Sequence, residues 1–291
     1  MTDLPQLAEQ VAEILRKEPS LLRTDSSPLL VVGDTHGDVD STKKALDYAD
    51  EKDAVAVFLG DYVDRGPYQI ENITLLFERK LAEPNRLLLL RGNHETLTMN
   101  TYYGFLDTVT RRHGLKTYQQ FLKAFAQLPY ALRWRDVFFV HGGIARGLHM
   151  VEEVEKLERG EDDPEHPVAF QLLWNDPHPG VKGFAESDRG GGALYFGEDV
   201  FTSFMEQNGL RLLIRSHQPM PDGYRYIFGG RLLTVFSCRY YMVPPKAVLL
   251  QTYKPPPPPH DISEWGGRLL RRVWVRVCFW RSFPMRFAGR P

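Results

Sequence analysis

The chain has little cysteine: of its 291 residues only Cys238 and Cys278 are cysteines. Two cysteines cannot make the disulfide framework of a small secreted domain, so nothing here requires an oxidising compartment. It has no run of about 18 apolar residues, which excludes a helical membrane span. The N-terminal MTDLPQLAEQ carries neither a basic nor an apolar leader pattern, and a cytoplasmic setting is expected. Charge of one sign is also missing. Thirty-six basic and 37 acidic residues leave a net charge of −1, so the chain as a whole is not a polyanion binder. No internal repeat is present. With 43% hydrophobic and 25% charged residues, disorder, collagen and coiled coil are excluded.

The balanced average hides two opposed segments. Residues 152–165 carry eight acids and two bases, whereas residues 260–291 carry seven Arg and two acids. Between the body and that tail stand five consecutive prolines, Pro255 to Pro259. Such a run favours a stiff extended spacer and cannot continue a helix or a central strand. Three regions are therefore expected: a catalytic domain over 1–253, a linker over 254–259, and a basic aromatic tail over 260–291. The tail pairs Arg with aromatics between Arg271 and Arg281. That composition suits packing on the body, self-association, or contact with an anionic ligand.

Hydrophobic periodicity organises the rest. Leu4, Leu7, Val11, Ile14 and Leu15 predict an N-terminal helix ending near Pro19. Five apolar runs, at Pro28–Val32, Ala54–Leu59, Leu87–Leu90, Val137–Val140 and Leu210–Ile214, predict strands buried on both faces. Helical patterns separate them, one capped at Asp40 or Ser41 and one opened by Pro67. Strand-like pieces come later, around Arg231–Phe236 and Ala247–Thr252. The alternation implies an α/β architecture.

The chemistry sits in the turns at the ends of these five strands. They read Gly33-Asp34-Thr35-His36-Gly37, Gly60-Asp61-Tyr62-Val63-Asp64-Arg65-Gly66, Gly92-Asn93-His94-Glu95, His141-Gly142-Gly143 and Ser216-His217. In α/β sheets the C-terminal strand edge is where ligands bind. Any one of these alone reads as an ordinary turn or a structural histidine. Five independent turns would have to imitate one site, and this joint recurrence makes Asp34, His36, Asp61, Asn93, His141 and His217 candidate metal ligands. Oxygen and imidazole donors together suit Mn, Fe or Zn better than Ca. Six ligands exceed one tetrahedral ion and suit two ions sharing a carboxylate. Asp61, in the middle of the set, is the expected bridge.

The turns GDTHG, GDYVDRG, GNHE and HGG and the late RSH resemble, in that order, the pattern of the phosphoprotein phosphatase family of serine/threonine phosphatases. Trp174-Asn175-Asp176-Pro177 and Ser187-Asp188-Arg189-Gly190 agree with two further stretches of that family. The resemblance covers roughly residues 20–252. It implies a calcineurin-like metallophosphatase sandwich of two mixed β-sheets flanked by helices, with two divalent metal ions. Mn is the first choice among the metals, with Fe and Zn as alternatives. Asp34, His36 and Asp61 would hold one ion, and Asp61, Asn93, His141 and His217 the other. A hydroxide bridging the ions would attack phosphoserine or phosphothreonine of a protein substrate. His94 would be the general acid and Asp64 its orienting partner. Arg65 and Arg189 would grip the phosphate, helped by Asn93, and Tyr241 falls at the family's active-site tyrosine. The chain departs from the eukaryotic pattern after the late strand. Ser237-Cys238-Arg239-Tyr240-Tyr241-Met242-Val243 stands where those enzymes carry an acidic loop with a cysteine. Toxin sensitivity and regulatory subunits are therefore not carried over, and the chain resembles a compact, prokaryotic or archaeal-type member. Alternatives are a dinucleoside tetraphosphate hydrolase or another small-molecule phosphoesterase, and a non-catalytic scaffold. Intact GDxVDRG and Glu95 favour the protein phosphatase, and the full ligand set opposes the scaffold.

Overall fold

Leu29–Val32, Val55–Phe58 and Val137–Val140 bury every side chain, because each strand has an apolar layer on both sides. The computed structural model describes residues 2–251 and 258–265. Its strands are, in chain order, β1 (Leu21–Arg23), β2 (Leu29–Val32), β3 (Val55–Phe58), β4 (Leu87–Leu89), β5 (Ala131–Trp134), β6 (Val137–Val140) and β7 (Asp176–Pro177). The second half adds β8 (Phe184–Glu186), β9 (Leu194–Phe196), β10 (Leu212–Arg215), β11 (Tyr224–Ile227), β12 (Leu232–Val235), β13 (Lys246–Leu250) and β14 (His260–Asp261). Two large mixed sheets run β1-β5-β6-β10-β12-β11 and β14-β13-β2-β3-β4, and a small third runs β7-β9-β8. The two large sheets are those expected. The small sheet was not foreseen, since two- and three-residue strands carry no periodicity.

Alternation along each strand feeds two cores at once. Leu29 and Val31 of β2, Val55 and Val57 of β3, Val137 and Phe139 of β6, and Leu212 and Ile214 of β10 fill the layer between the sheets. Leu30, Val32, Ala56 and Phe58 point the other way. There they meet α1 (Leu4–Lys17), α2 (Val39–Glu51), α3 (Gln69–Ala82) and α6 (Leu115–Phe125) through Leu7, Val11, Leu15, Ala45, Phe77 and Phe121. On the far side, Phe138, Val140 and Leu213 pack with Leu172 and Leu173 of α7 (Pro167–Trp174) and Phe201 and Phe204 of α8 (Glu198–Gln207). Short α4 (Leu97–Tyr103) and α5 (Phe105–His113) complete the set.

β2, β3 and β4 are mutually parallel, as are β6 and β10. The turns after β2, β3 and β4 therefore leave one edge of their sheet together, and those after β6 and β10 one edge of the other.

Three local expectations need correction. The cap of α2 is Asp38, whose carboxylate accepts from the Ser41 N–H, and not Asp40 or Ser41. Asp38, Asp40 and Ser41 all have cap chemistry, and Asp38 is also held by Arg239, 201 residues away. Pro67 lies ahead of α3, which starts at Gln69 after Tyr68. The chain is still turning there, with φ of 65° at Asp64 and 66° at Arg65. Beyond the proline run, His260–Asp261 pairs with β13, Ile262 is buried, and the Trp265 ring stacks on Tyr48 at 4.0 Å. The first residues of the expected tail thus belong to the body. The boundary near residue 254, and the basic aromatic stretch from residue 266 onward, lie outside the described residues. Among the described residues no helix is long and apolar enough to cross a membrane.

Candidate metal centre

The turns after the strands are laced to one another. Thr35 and His36 both donate their N–H to the Asp61 carbonyl, at 3.0 and 2.9 Å. Gly37 donates to the Tyr62 carbonyl at 2.9 Å. Buried Glu95 holds the second turn to the third. Its Oε2 accepts from the Asp61 and Gly92 N–H at 2.8 and 2.9 Å, and its Oε1 from the Tyr62 N–H at 2.8 Å. Such close lacing forces unusual backbone. His36, Asp61, Asp64, Arg65 and His217 all have positive φ, a conformation non-glycine residues hold only when their surroundings over-determine it. Glycine is required at Gly92, where a Cβ would stand 2.2 Å from Asp61 Oδ1.

All six candidate ligands are buried. Asp34 is fixed by the Ser216 hydroxyl and by the His217 N–H, which donates to its Oδ1 at 3.0 Å. His36 Nδ1 lies 2.9 Å from the Val63 carbonyl. A carbonyl has no proton to give, so Nδ1 donates, and Nε2 is left facing Asp61 Oδ2 at 3.6 Å and Asp34 Oδ2 at 3.7 Å. His141 repeats the device: its Nδ1 lies 2.9 Å from the Leu59 carbonyl. Its Nε2 then faces Asn93 Oδ1 at 3.0 Å, His217 Nδ1 at 3.1 Å and Asp61 Oδ1 at 3.4 Å. A backbone carbonyl orienting the far nitrogen is the usual support of a metal-binding imidazole.

Gathered lone pairs repel unless something positive sits among them. Ligands at about 2.1 Å from one first-row ion stand about 3–3.5 Å apart, close to the spacings seen. The nitrogen that His217 turns toward the cluster is Nδ1, 3.1 Å from His141 Nε2. The donor set therefore fits divalent metal ions. Ligating atoms of His36, Asp61 and His94 lie within 4.8 Å of one another, as do those of Asp61, His141 and His217. Asp61 belongs to both groups. Asp34 lies outside both groups, its Oδ2 3.7 Å from His36 Nε2, and His94 completes the first group in its stead.

Protonation reports the same crowding. Burial, then the Asp61 charge, pushes Asp34 up to about 6. Burial and the neighbouring His94 push His36 down to about 3. His217 lies well below the usual histidine range, through burial and then Arg189. For His141 burial works downward but Asp61 outweighs it, and the net shift is upward. For His94 burial again works downward, but Asp61 and Asp64 outweigh it and the net shift is upward.

A cleft of about 250 Å³ opens above this cluster. Asp34, His36, Asp61, Asn93, His94, His217, Arg65, Arg189 and Tyr241 all line it. His141 and Asp64 stand just behind, in contact with the lining. His94 Nδ1 is 2.8 Å from Asp64 Oδ2. Asp64 is held in turn by the Asn100 side chain and by the Phe105 N–H. The Arg65 guanidinium lies over the Tyr103 ring at 4.0 Å and 5.9 Å from the Tyr241 ring. Arg189 Nε is bonded to Asp176, whose other oxygen takes buried Arg215. The Tyr241 ring lies 5.3 Å from that of His36.

Sequence reasoning did not find Glu95 as the residue that laces the turns, Asn100 behind Asp64, or Met99 and Tyr103 in the cleft wall. Glu95 stood in a motif that was read, but its role appears only when three backbone N–H groups converge on it. Asn100 and Tyr103 lie on seven-residue α4, too short to show periodicity.

Comparison with known proteins gives the same reading. The calcineurin-like phosphoesterase family model matches residues 27–221. A probable serine/threonine-protein phosphatase of Encephalitozoon cuniculi is 39% identical over 243 residues, 82% of this chain and 53% of that protein. The chain thus spans about half the length of that relative. Among solved structures, a protein serine/threonine phosphatase from Saccharomyces cerevisiae superposes with a TM-score of 0.77 at 28% identity, over 86% of this chain and 82% of the other. A cold-active protein-tyrosine phosphatase of a psychrophilic Shewanella species shares the fold, with a TM-score of 0.59 at 17% identity over 82% and 80% of the two chains. With the family model spanning most of the chain and the strand-end cluster in place, this chain belongs to the calcineurin-like phosphoesterase family.

Proposed function

We propose that the chain hydrolyses phosphoserine and phosphothreonine esters on proteins, using two divalent metal ions, with Mn the first to test. The observation that carries this reading is Asp61, whose Oδ2 faces His36 Nε2 at 3.6 Å and whose Oδ1 faces His141 Nε2 at 3.4 Å, under a cleft walled by Arg65 and Arg189. The names of the Encephalitozoon and yeast relatives support the protein substrate.

In this reading Asp34, His36 and Asp61 hold one ion, and Asp61, Asn93, His141 and His217 the other. Bound ions supply Lewis acidity, which makes water a usable nucleophile near neutral pH and drains charge from the phosphoryl group. The protein's own groups do the rest. Arg65 and Arg189 offer planar forks that match phosphate oxygens and would hold the phosphoryl group in the cleft. Tyr103 keeps the Arg65 guanidinium in place from below, and Tyr241 closes the neighbouring wall. Asp64 takes Nδ1 of His94, so the imidazole presents its other nitrogen. From there it gives a proton to the departing seryl or threonyl oxygen, a strong base that leaves poorly unprotonated.

The test compares turnover of a phosphoserine peptide and of a dinucleoside tetraphosphate by the metal-loaded protein. Peptide hydrolysis that EDTA abolishes and added Mn restores is the expected result. Faster cleavage of the dinucleotide would replace the substrate class, and full activity without metal would remove the dinuclear centre.

A further inference from the structure

The segment after β12 is where the sequence leaves the family pattern, and the structure shows what holds it. Arg239 opens a single 3-10 turn, Arg239–Tyr241. Its guanidinium grips Asp38 by Nε at 2.9 and 3.0 Å and by Nη2 at 2.7 Å. The Arg239 N–H donates to Asp38 Oδ2 at 2.9 Å, and Nη2 also reaches Asp40 at 2.9 Å. Asp38 is fully buried and is at the same time the cap of α2. It stands two residues after His36, in the turn laced to Asp61. The two ends of this clamp are 201 residues apart in sequence. They join the turn that carries two candidate ligands to the turn that carries Tyr241.

Beyond the clamp, Tyr241 lies 4.9 Å from the Phe236 ring and 5.3 Å from the His36 ring. Its other neighbour is Arg65, which lies between Tyr241 and Tyr103. The next residue, Met242, has positive φ and is 97% exposed. The turn therefore projects into solvent, and its fixed end is Arg239. A guanidinium over an aromatic face is held by that face, so a Tyr241 free to swing would release one side of Arg65.

We propose that Arg239 is a positioning residue for the phosphate subsite: by clamping the 239–241 turn to Asp38 it fixes Tyr241 and, through Tyr241, the guanidinium of Arg65. The proposal rests on the reading of the cleft as a phosphate site.

Binding of inorganic phosphate to the Mn-loaded protein, measured by titration calorimetry, tests this without turnover. Arg239→Ala should weaken phosphate by about tenfold, a difference of about 1.4 kcal/mol, with metal content unchanged. Arg239→Lys keeps the charge but loses the fork and should fall between. Tyr241→Ala should lose as much as Arg239→Ala, and the double variant no more than Tyr241→Ala alone, because Arg239 acts through Tyr241. In steady-state assays on the phosphoserine peptide, Arg239→Ala should raise KM more than it lowers kcat. Unchanged phosphate affinity in Arg239→Ala, or additive losses in the double variant, would overturn the clamp. Wild-type protein that binds phosphate with the expected variant pattern but does not turn over the peptide would leave the clamp standing and remove the phosphatase reading instead.

Discussion

His94 and Asp64 meet at 2.8 Å between Nδ1 and Oδ2, both side chains buried, His94 in the wall of the cleft and Asp64 just behind it. Asp64 has no freedom to turn away, because Asn100 and the Phe105 N–H hold its two oxygens. The imidazole is therefore aimed, and in the proposed reading, which keeps His94 out of the six ligands, it is the proton donor. His94→Asn should leave metal content intact and slow phosphoserine hydrolysis by about 10²–10⁴, the usual worth of a positioned acid. p-Nitrophenyl phosphate releases a phenolate already stable near neutrality and should lose clearly less. Equal losses on both substrates would show that His94 positions phosphate or water and gives no proton to the leaving group.

Asp61 offers one oxygen toward His36 and the other toward His141. Asp61→Asn should therefore lower occupancy at both ion positions, while Asp34→Asn should chiefly lower one. Elemental analysis of purified protein after equilibration with Mn checks the stoichiometry. If Asp61→Asn retains two ions per chain, the shared-carboxylate arrangement is wrong.

The buried strand-end cluster was legible because its residues follow short apolar runs of the length buried strands take, and strand ends collect at sheet edges. Each turn was visible locally, and parallel pairing brought the turns together. The edges of the fold were less legible. Half-exposed β11 and three-residue β1 owe their places to neighbours, and their sequences show little alternation. Contacts made across long separations left no local trace at all. Nothing near Asp38 announces Arg239, and nothing near Tyr48 announces Trp265.

That last contact bears on stability. Ile262 is buried in the helix-side core, its N–H donating to the Pro245 carbonyl at 2.8 Å, and Trp265 covers Tyr48. Ile262→Ala should cost about 2–5 kcal/mol, the range for buried aliphatic truncations. It should spare turnover, since Ile262 does not line the cleft. Urea unfolding of the full chain reads the first effect and peptide hydrolysis the second. Unchanged stability would show that residues 260–265 add nothing to the body.

Glu95 tests whether hydrogen bonds or charge organise the centre. Its carboxylate accepts three backbone N–H groups, from Asp61, Tyr62 and Gly92. It is also a buried anion close to Asp61, and burial, then that charge, pushes it up to about 7. Glu95→Gln keeps the shape and one oxygen, but its amide must turn an N–H toward at least one backbone N–H. An unsatisfied buried donor costs about 1–3 kcal/mol. Removing a negative charge from a crowd of carboxylates has the opposite sign in metal-free protein. The two effects therefore separate in urea unfolding of the EDTA-treated variant. If lacing dominates, metal-free Glu95→Gln is less stable than wild type, and the Asp61 turn, held at a φ of 57°, loosens. Mn should then be lost at lower chelator concentration as well. If the metal-free variant is more stable than wild type, charge crowding dominates, and the three hydrogen bonds are not what shapes the Asp61 turn.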